Sequence, residues 1–351
     1  MQLLKIATIV GALSLFATAC GKDDPTPTTT DYSANLSNIA LHVITATYLD
    51  LNLRSAELVT SLSNLGQSPN AINLEAARQA WRTTRVPWEQ SEGFLYGPVD
   101  VQGIDPSLDS WPVNQSDLDN VLASPAVLTD NYVRGLDPTL RGFHTIEYLL
   151  FGTDASKEVS DFSPRQFEYL LACGQVLQDD ATRLYDGWAV NSDNFAKNFL
   201  QAGLAGSIYP SQKAALQETV NGMVAICDEV ANGKINDPFS QQNLTLEESR
   251  FSNNSKADFA DNIRSIQNCY LGRYGGTDGP GITDVVISKN ANLDIKVRQE
   301  IEAAISAIEN IPGTFTTAIS QAPASVQNAQ DKVRTLLDTL LGEVVPLISN
   351  L

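Results

Sequence analysis

The chain has 351 residues, with 23 Lys and Arg against 41 Asp and Glu, for a formal charge of −18 and a pI near 4.4. That length excludes a miniprotein held by staples, and so acidic a field repels phosphate backbones, so no nucleic-acid partner is expected. At 43% hydrophobic and 18% charged residues the composition is that of a folded globular protein. The two histidines, His42 and His144, restrict any metal cage or mechanism that needs paired imidazoles.

Residues 1–19 carry Lys5, an apolar run from Ile6 to Phe16 and the small residues Ala17, Thr18 and Ala19 before Cys20. This pattern is an export signal too short to span a bilayer. Small residues before a cysteine resemble a bacterial lipobox, which makes Cys20 the expected lipidation site and the lipid the expected membrane contact. The Pro/Thr-rich stretch that follows, Gly21–Asp31, should be a flexible tether. The resemblance implies an outer-membrane lipoprotein, facing the periplasm or, given Lys22-Asp23-Asp24, exported to the cell surface. Cys173, Cys227 and Cys269 sit among apolar helix residues and are expected to be buried free thiols.

Helical periodicity dominates the rest, and no stretch alternates with period two between hairpin signals. The expected fold is all-α: two helical bundles in series, residues 33–195 and 196–351, divided within the Gly- and Pro-containing segment Ser192–Pro210. Helices are expected at Ser33–Leu65, where His42 would be a packed helix residue, and at Ala71–Phe94, with Pro87 inside it. Gly97–Asp117 follows as a long irregular segment of the kind that is often functional. Further helices are expected at Pro138–Phe151, Pro164–Trp188, Ser211–Asn232, Ala257–Tyr274, Leu293–Ile308 and Ser325–Ile348. The glycines from Gly275 to Gly281 follow a helix instead of opening one after a strand, so they form a loop and no phosphate cradle.

Two helices carry polar groups on apolar stripes. A step of about 100° per residue places Leu140, His144, Glu147 and Phe151 within an arc of roughly 60°. An imidazole and a carboxylate at i and i+3 either address one ion together or form a structural pair. Gly142 beside them implies a close approach of another element. The same count aligns Trp81, Arg85, Trp88, Glu92 and Leu95. Buried and unpaired, Arg85 and Glu92 would cost several kcal/mol each, so they pair with each other, with Glu89 or with a ligand.

The block running from Trp81-Arg82 through Arg85, Pro87-Trp88-Glu89, Ser91-Glu92-Gly93-Phe94 and Gly97-Pro98, taken with Gly142-x-His144-x-x-Glu147-Tyr148-Leu149-Leu150-Phe151-Gly152, resembles the signature of the imelysin family. Ser249-Arg250-Phe251-Ser252-Asn253-Asn254 and Ile266-Gln267-Asn268-x-Tyr270-Leu271-Gly272-Arg273-Tyr274 are similar to its third block. The family's members are exported or lipid-anchored bacterial proteins linked to iron uptake, related to the C-terminal domain of the ferrous-iron transport component EfeO. The resemblance implies two helical bundles with a site near their interface, built around His144 and Glu147. Many members carry Asp and His where this chain has Asn253 and Lys256, so the ligands are expected from the first bundle.

Three functions are compatible with these residues. In the first, His144, Glu147, Glu89 and Glu92 bind a metal or small ligand, with Arg85, Trp88, Ser91, Arg250 and Ser252 supporting them. One imidazole among carboxylates favours a hard or borderline cation such as iron, manganese or zinc; the resemblance implies iron, with zinc or another divalent cation as alternatives, and envelope iron-uptake components as partners. The second is a metal-dependent peptidase, which the family's classification implies, although His-Glu-x-x-His is absent. In the third, a non-catalytic interaction module, the polar stripes only specify packing.

Overall fold

The apolar stripes become helices almost throughout. The computed structural model describes residues 30–351, so the export signal, Cys20 and all but the last two residues of the tether lie outside the described residues. Helix α1, Thr45–Gln67, continues from Ser33–Asn38 through a π-helical turn, Ile39–Ile44, and buries Leu51, Leu58, Leu62 and Leu65 along one side. His42 on the π-turn is exposed, contrary to the expected packing. Ile39, Ala40, Val43 and Ile44 take the inward face and leave the imidazole outside.

Helix α2, Ala71–Glu89, opens on Asn70, whose side chain accepts from the Asn73 backbone N–H. It ends before the expected Phe94. The Ser91 hydroxyl and N–H both donate to the Trp88 carbonyl, at 2.6 and 2.8 Å, which closes the helix. Glu92–Phe94 then forms a separate 3₁₀ turn. The segment expected to be irregular contains two short helices, Pro98–Val101 and α3, Asp105–Asp109, each with Pro at its start.

Helix α4, Gly142–Phe151, begins later than the pattern suggests, because Pro138–Leu140 is 3₁₀ and Arg141 is extended. Gly142 has φ +74°, and a Cβ there would lie 2.3 Å from the Leu108 carbonyl oxygen. Only glycine permits both the backbone and the contact that sets α3 against α4. Helix α5, Pro164–Trp188, starts at a capping box of Ser163 and Gln166.

In the C-terminal part, α6 spans Gln212–Glu229 and continues as a π-helical turn, Val230–Lys234. Helix α7, Ser255–Leu271, stops at Gly272 in the left-handed conformation. The strands β1, Arg273–Tyr274, and β2, Thr277–Asp278, then pair antiparallel, with Arg273 opposite Asp278 and Tyr274 opposite Thr277. Gly275-Gly276 makes the tight turn between them. Helices α8, Ala291–Glu309, and α9, Pro323–Thr339, follow, and a last π-turn, Leu340–Val344, leads into Val345–Ser349.

Within Tyr32–Leu351, a single unit by its contacts, α1 packs along α2 and α5, α4 covers α2 and α5, and α6, α7, α8 and α9 pack in succession. Helix α2 also lies against α7, and the Glu92–Phe94 turn against α6. The last contact is backbone to backbone: a Cβ at Gly222 would meet the Gly93 carbonyl at 2.2 Å. Cys173, Cys227 and Cys269 are buried and free. Among the described residues no helix is long and apolar enough to cross a membrane.

Candidate metal centre

The contacts of α2 with α3, α4 and α7 bury a group of charges. Arg85 and Glu89, one turn apart on α2, form an ion pair. The Arg85 guanidinium also pairs with Asp109 at the end of α3, with Glu248 at 2.8 Å and with Asp258 of α7 at 3.4 Å. Trp88 Nε1 donates to Asp109 Oδ2 at 2.7 Å, and Asn262 Nδ2 to Glu89 Oε2 at 2.6 Å. Burial opposes the charge on Arg85, but the four carboxylates outweigh it and raise its pKa well above the ordinary value.

His144 lies between two acids. Its Nδ1 is 3.1 Å from Glu147 Oε2, while Nε2 is 3.1 Å from Asp109 Oδ1 and 3.8 Å from Glu248 Oε1. Burial disfavours the imidazolium, yet the charge of Asp109 and the close contacts with Asp109 and Glu147 push its pKa up to about 10. Asp109 is correspondingly held well below the usual carboxylate range: burial pushes it up, and Arg85 and His144 pull it down further. Nε2 nevertheless has no aligned hydrogen-bond acceptor. Glu147 is fully engaged, because its Oε1 accepts from Ser252 N–H at 2.8 Å and Oγ at 2.7 Å. This is the carboxylate–imidazole arrangement that fixes a histidine's ring orientation.

On the opposite side stands Lys234, 2% exposed, with Nζ 3.0 Å from Glu248 Oε2, 3.6 Å from Glu89 Oε2 and 3.8 Å from Glu92 Oε2. Burial lowers its tendency to hold a proton, but Glu248, Glu92 and Glu89 reverse that and raise its pKa well above normal. Burial also raises Glu89 and Glu92 well above the carboxylate range, despite Arg85 and Lys234 beside Glu89 and Lys234 beside Glu92, and Asp258 to about 6.

The buried charges of this group do not balance. Six carboxylates, Glu89, Glu92, Asp109, Glu147, Glu248 and Asp258, face Arg85, Lys234 and His144. Three sets of ligand atoms lie within 4.8 Å of one another: Asp109, His144 and Glu248; Glu89, Glu92 and Asp109; and Glu89, Glu248 and Asp258. A cleft of about 240 Å³ lined by Glu92, Asp105, Asp109, Trp111 and Glu229 reaches the group from outside. A second cavity, about 10 Å³ and hence the size of one water, lies beside His144, Glu147, Glu247 and Ser249. Donors rich in carboxylate with one imidazole fit a hard or borderline cation.

The structure brings together four expected site residues, His144, Glu147, Glu89 and Glu92, with the His144–Glu147 and Arg85–Glu89 pairs as the sequence allowed and with further partners that it did not indicate. Arg85 pairs with Glu89 and not with Glu92, which turns to Lys234 because α2 has ended before it. Trp88 and Ser252 touch the group through Asp109 and Glu147. Ser91 closes α2 instead, and half-exposed Arg250 stacks on Phe251, 4.5 Å from the ring centre, at the edge of the small cavity. Asn253 is in the left-handed region, and Lys256 donates to the Ile311 carbonyl at 2.7 Å. The C-terminal part still contributes charge, through Lys234, Glu248 and Asp258. Sequence reading missed these three and Asp109. Only Asp109 had a signal, its place in the segment singled out as functional.

The Imelysin family profile matches residues 44–340. Iron-regulated protein A of Synechococcus elongatus is 32% identical over 343 residues, covering 96% of this chain and 91% of the relative. The crystal structure of a protein described as an iron-regulated protein A precursor, from Parabacteroides distasonis, superposes with a TM-score of 0.84 at 26% identity, covering 93% of this chain and 97% of the other. An imelysin-like protein from Psychrobacter arcticum shares the fold, with a TM-score of 0.74 at 14% identity over 90% and 95% of the two chains. With its helices, its Gly142-x-His144-x-x-Glu147 block and these relatives in agreement, the chain belongs to the imelysin family.

Proposed function

We propose that this protein is an envelope lipoprotein that binds a hard or borderline metal cation, iron foremost, in iron acquisition. The carrying observation is the excess of buried carboxylates around one imidazole, reached through an acidic cleft. Without a cation, proton uptake by Glu89 and Glu92 is one route to relieving the excess, because burial raises both carboxyls above the ordinary range. His144, Asp109 and Glu248 are the donors closest to one another that include nitrogen. Glu89 and Glu92 lie next to them, and Glu147 orients the imidazole. The iron-regulated name of the cyanobacterial relative supports iron over zinc. Cys20 would carry the lipid, and the tether would hold the helical unit at the outer membrane, on its periplasmic or outer face.

The test is elemental analysis and calorimetric titration with Fe(II) under anaerobic conditions and with Mn(II), on protein beginning at Tyr32 and purified without chelators. One cation per chain is expected, with binding weakened at least about tenfold in His144→Ala and Asp109→Asn variants whose helical circular dichroism is unchanged. Absence of binding in the parent protein, or equal binding in both variants, refutes the proposal.

A further inference from the structure

Of the buried cations, Arg85 and Lys234 are held differently. The guanidinium spans Glu89, Asp109, Glu248 and Asp258, and its planar fork of donors is fixed by packing under the Phe143 ring, 4.9 Å from the ring centre. The lysine is a single point charge on a flexible stem. Its Nζ makes no aligned hydrogen bond, although three carboxylates, Glu89 and Glu92 from around the end of α2 and Glu248 from far along the chain, converge on it at 3.0 to 3.8 Å.

Three carboxylate oxygens around one cation resemble a metal site expanded by about 0.8–1.8 Å, since divalent transition metals sit about 2.0–2.2 Å from such oxygens. The position of Nζ follows from the π-helical turn Val230–Lys234, which continues α6 inward. Beside it, the cleft is lined by Asp105 and Glu229 as well as Glu92 and Asp109. At about 240 Å³, it has room for a displaced aminoalkyl chain and offers carboxylates to receive the ammonium.

We infer that Lys234 is a tethered resident cation: its ammonium occupies the carboxylate pocket when no metal is present, and a multivalent cation binds by displacing it into the acidic cleft. The inference rests on the proposed cation binding and adds its regulation. A monovalent ion gains too little from the pocket to expel an equal charge that is already in place. A divalent or trivalent ion gains about two or three times as much Coulomb energy at the same distances. Lys234 thereby selects for charge, and by remaining attached it lowers affinity and speeds release. These properties suit a protein that passes its cargo on.

The experiment compares Mn(II) titrations of the parent protein, Lys234→Met and Lys234→Gln. The expected result is binding in all three, at least about tenfold tighter in the variants, with Na⁺ now competing. Binding in the parent that is equal or weaker in the folded variants overturns the role of Lys234 and leaves the metal reading standing. Binding confined to the variants overturns the displacement, leaving Lys234 a permanent occupant of the pocket, and refutes cation binding by the native protein. Absence of binding in all three overturns both.

Should the variants fold poorly, the parent protein supplies its own test. Acylation of lysines by a water-soluble N-hydroxysuccinimide ester at pH 8.5, followed by peptide mass spectrometry, should show Lys234 labelling rise at least about fivefold on Mn(II) addition. Exposed Lys289 should not change. Unchanged labelling of Lys234 under saturating Mn(II) overturns the displacement.

Discussion

Replacing Arg85 by Met tests the electrostatic account most directly. The substitution keeps much of the aliphatic stem that packs on Phe143 and removes the one cation shared by Glu89, Asp109, Glu248 and Asp258. Removing one partner of a buried ion pair typically costs about 3–5 kcal/mol, because the opposite charge stays behind without compensation. With a urea dependence of about 3 kcal/mol per M, the unfolding midpoint at pH 7.5 should fall by about 1–1.7 M. The stranded carboxylates would take up protons, so their folded-state pKa values would rise above the unfolded ones. A folded state that binds more protons than the unfolded state loses stability as pH increases. The deficit should therefore be smaller at pH 5 than at pH 7.5, and Arg85→Lys should fall between parent and Met because one ammonium cannot span four acids. Urea melts followed by circular dichroism at both pH values measure this. A midpoint shift below about 0.3 M, or one equal at both pH values, would refute the assignment of Arg85 as the counterion of the cluster.

Other expectations follow from the same geometry. Because Glu89 and Glu92 are raised and His144 is raised to about 10, Mn(II) binding should release at least one proton and tighten as pH rises from 6 to 8. Calorimetry in buffers of different ionisation enthalpy reads the release, and identical heats in all buffers would contradict it. Glu247, buried and raised to about 7, contributes stability that is present below its unfolded pKa and lost as pH rises through 7. Glu247→Gln should flatten the stability profile between about pH 4.5 and 7, and a parallel profile in the variant rules this out. Burial raises the thiols of Cys173, Cys227 and Cys269, so a disulfide reagent at pH 8 should label none of them in native protein and all three in denaturant. Gly142→Ala meets the Leu108 carbonyl and requires φ +74°, which should cost at least about 2 kcal/mol in a urea melt.

What could be read in the sequence was local. Stripes such as Leu51, Leu58, Leu62 and Leu65 repeat at helical spacing and became helices, as did Pro164–Trp188 with its Ser163 cap. Pairs carried on one helix were equally visible: Arg85 with Glu89, His144 with Glu147. The remaining charges were hidden because nothing local marks them. Lys234 lies in a run, Asn232-Gly233-Lys234, that resembles a solvated helix end, and the π-turn that directs it inward leaves no pattern in the residues. Asp258 is 173 residues from Arg85 and Glu248 is 163. Their convergence depends on how α7 meets α2, which periodicity does not encode. The early end of α2 was missed for a related reason. A serine hydroxyl turning back on Trp88 competes with continuation of the helix, and apolar residues beyond it disguise the stop.

These distances also explain why the cluster persists at all. A buried group of six carboxylates and three cationic or cationisable side chains is a weak source of stability, since well-packed apolar residues of similar volume often do as well or better. Its members come from α2, the 3₁₀ turn after it, α3, α4, the turn after α6, the segment before α7, and α7 itself. Every one of those elements is held in place partly by an interaction that remains unbalanced until a proton or another cation arrives. Two backbone contacts that admit only glycine in the present packing, Gly142 on Leu108 and Gly222 on Gly93, set the elements at that separation regardless of charge. The scaffold thus keeps the acids close without neutralising them. Proton uptake by Glu89 and Glu92 is the response open to the metal-free protein, and it is reversible. On the proposed reading, a cation that supplies more charge at the same place would replace those protons, and the free energy lost by burying acids in excess would return as affinity for the cation.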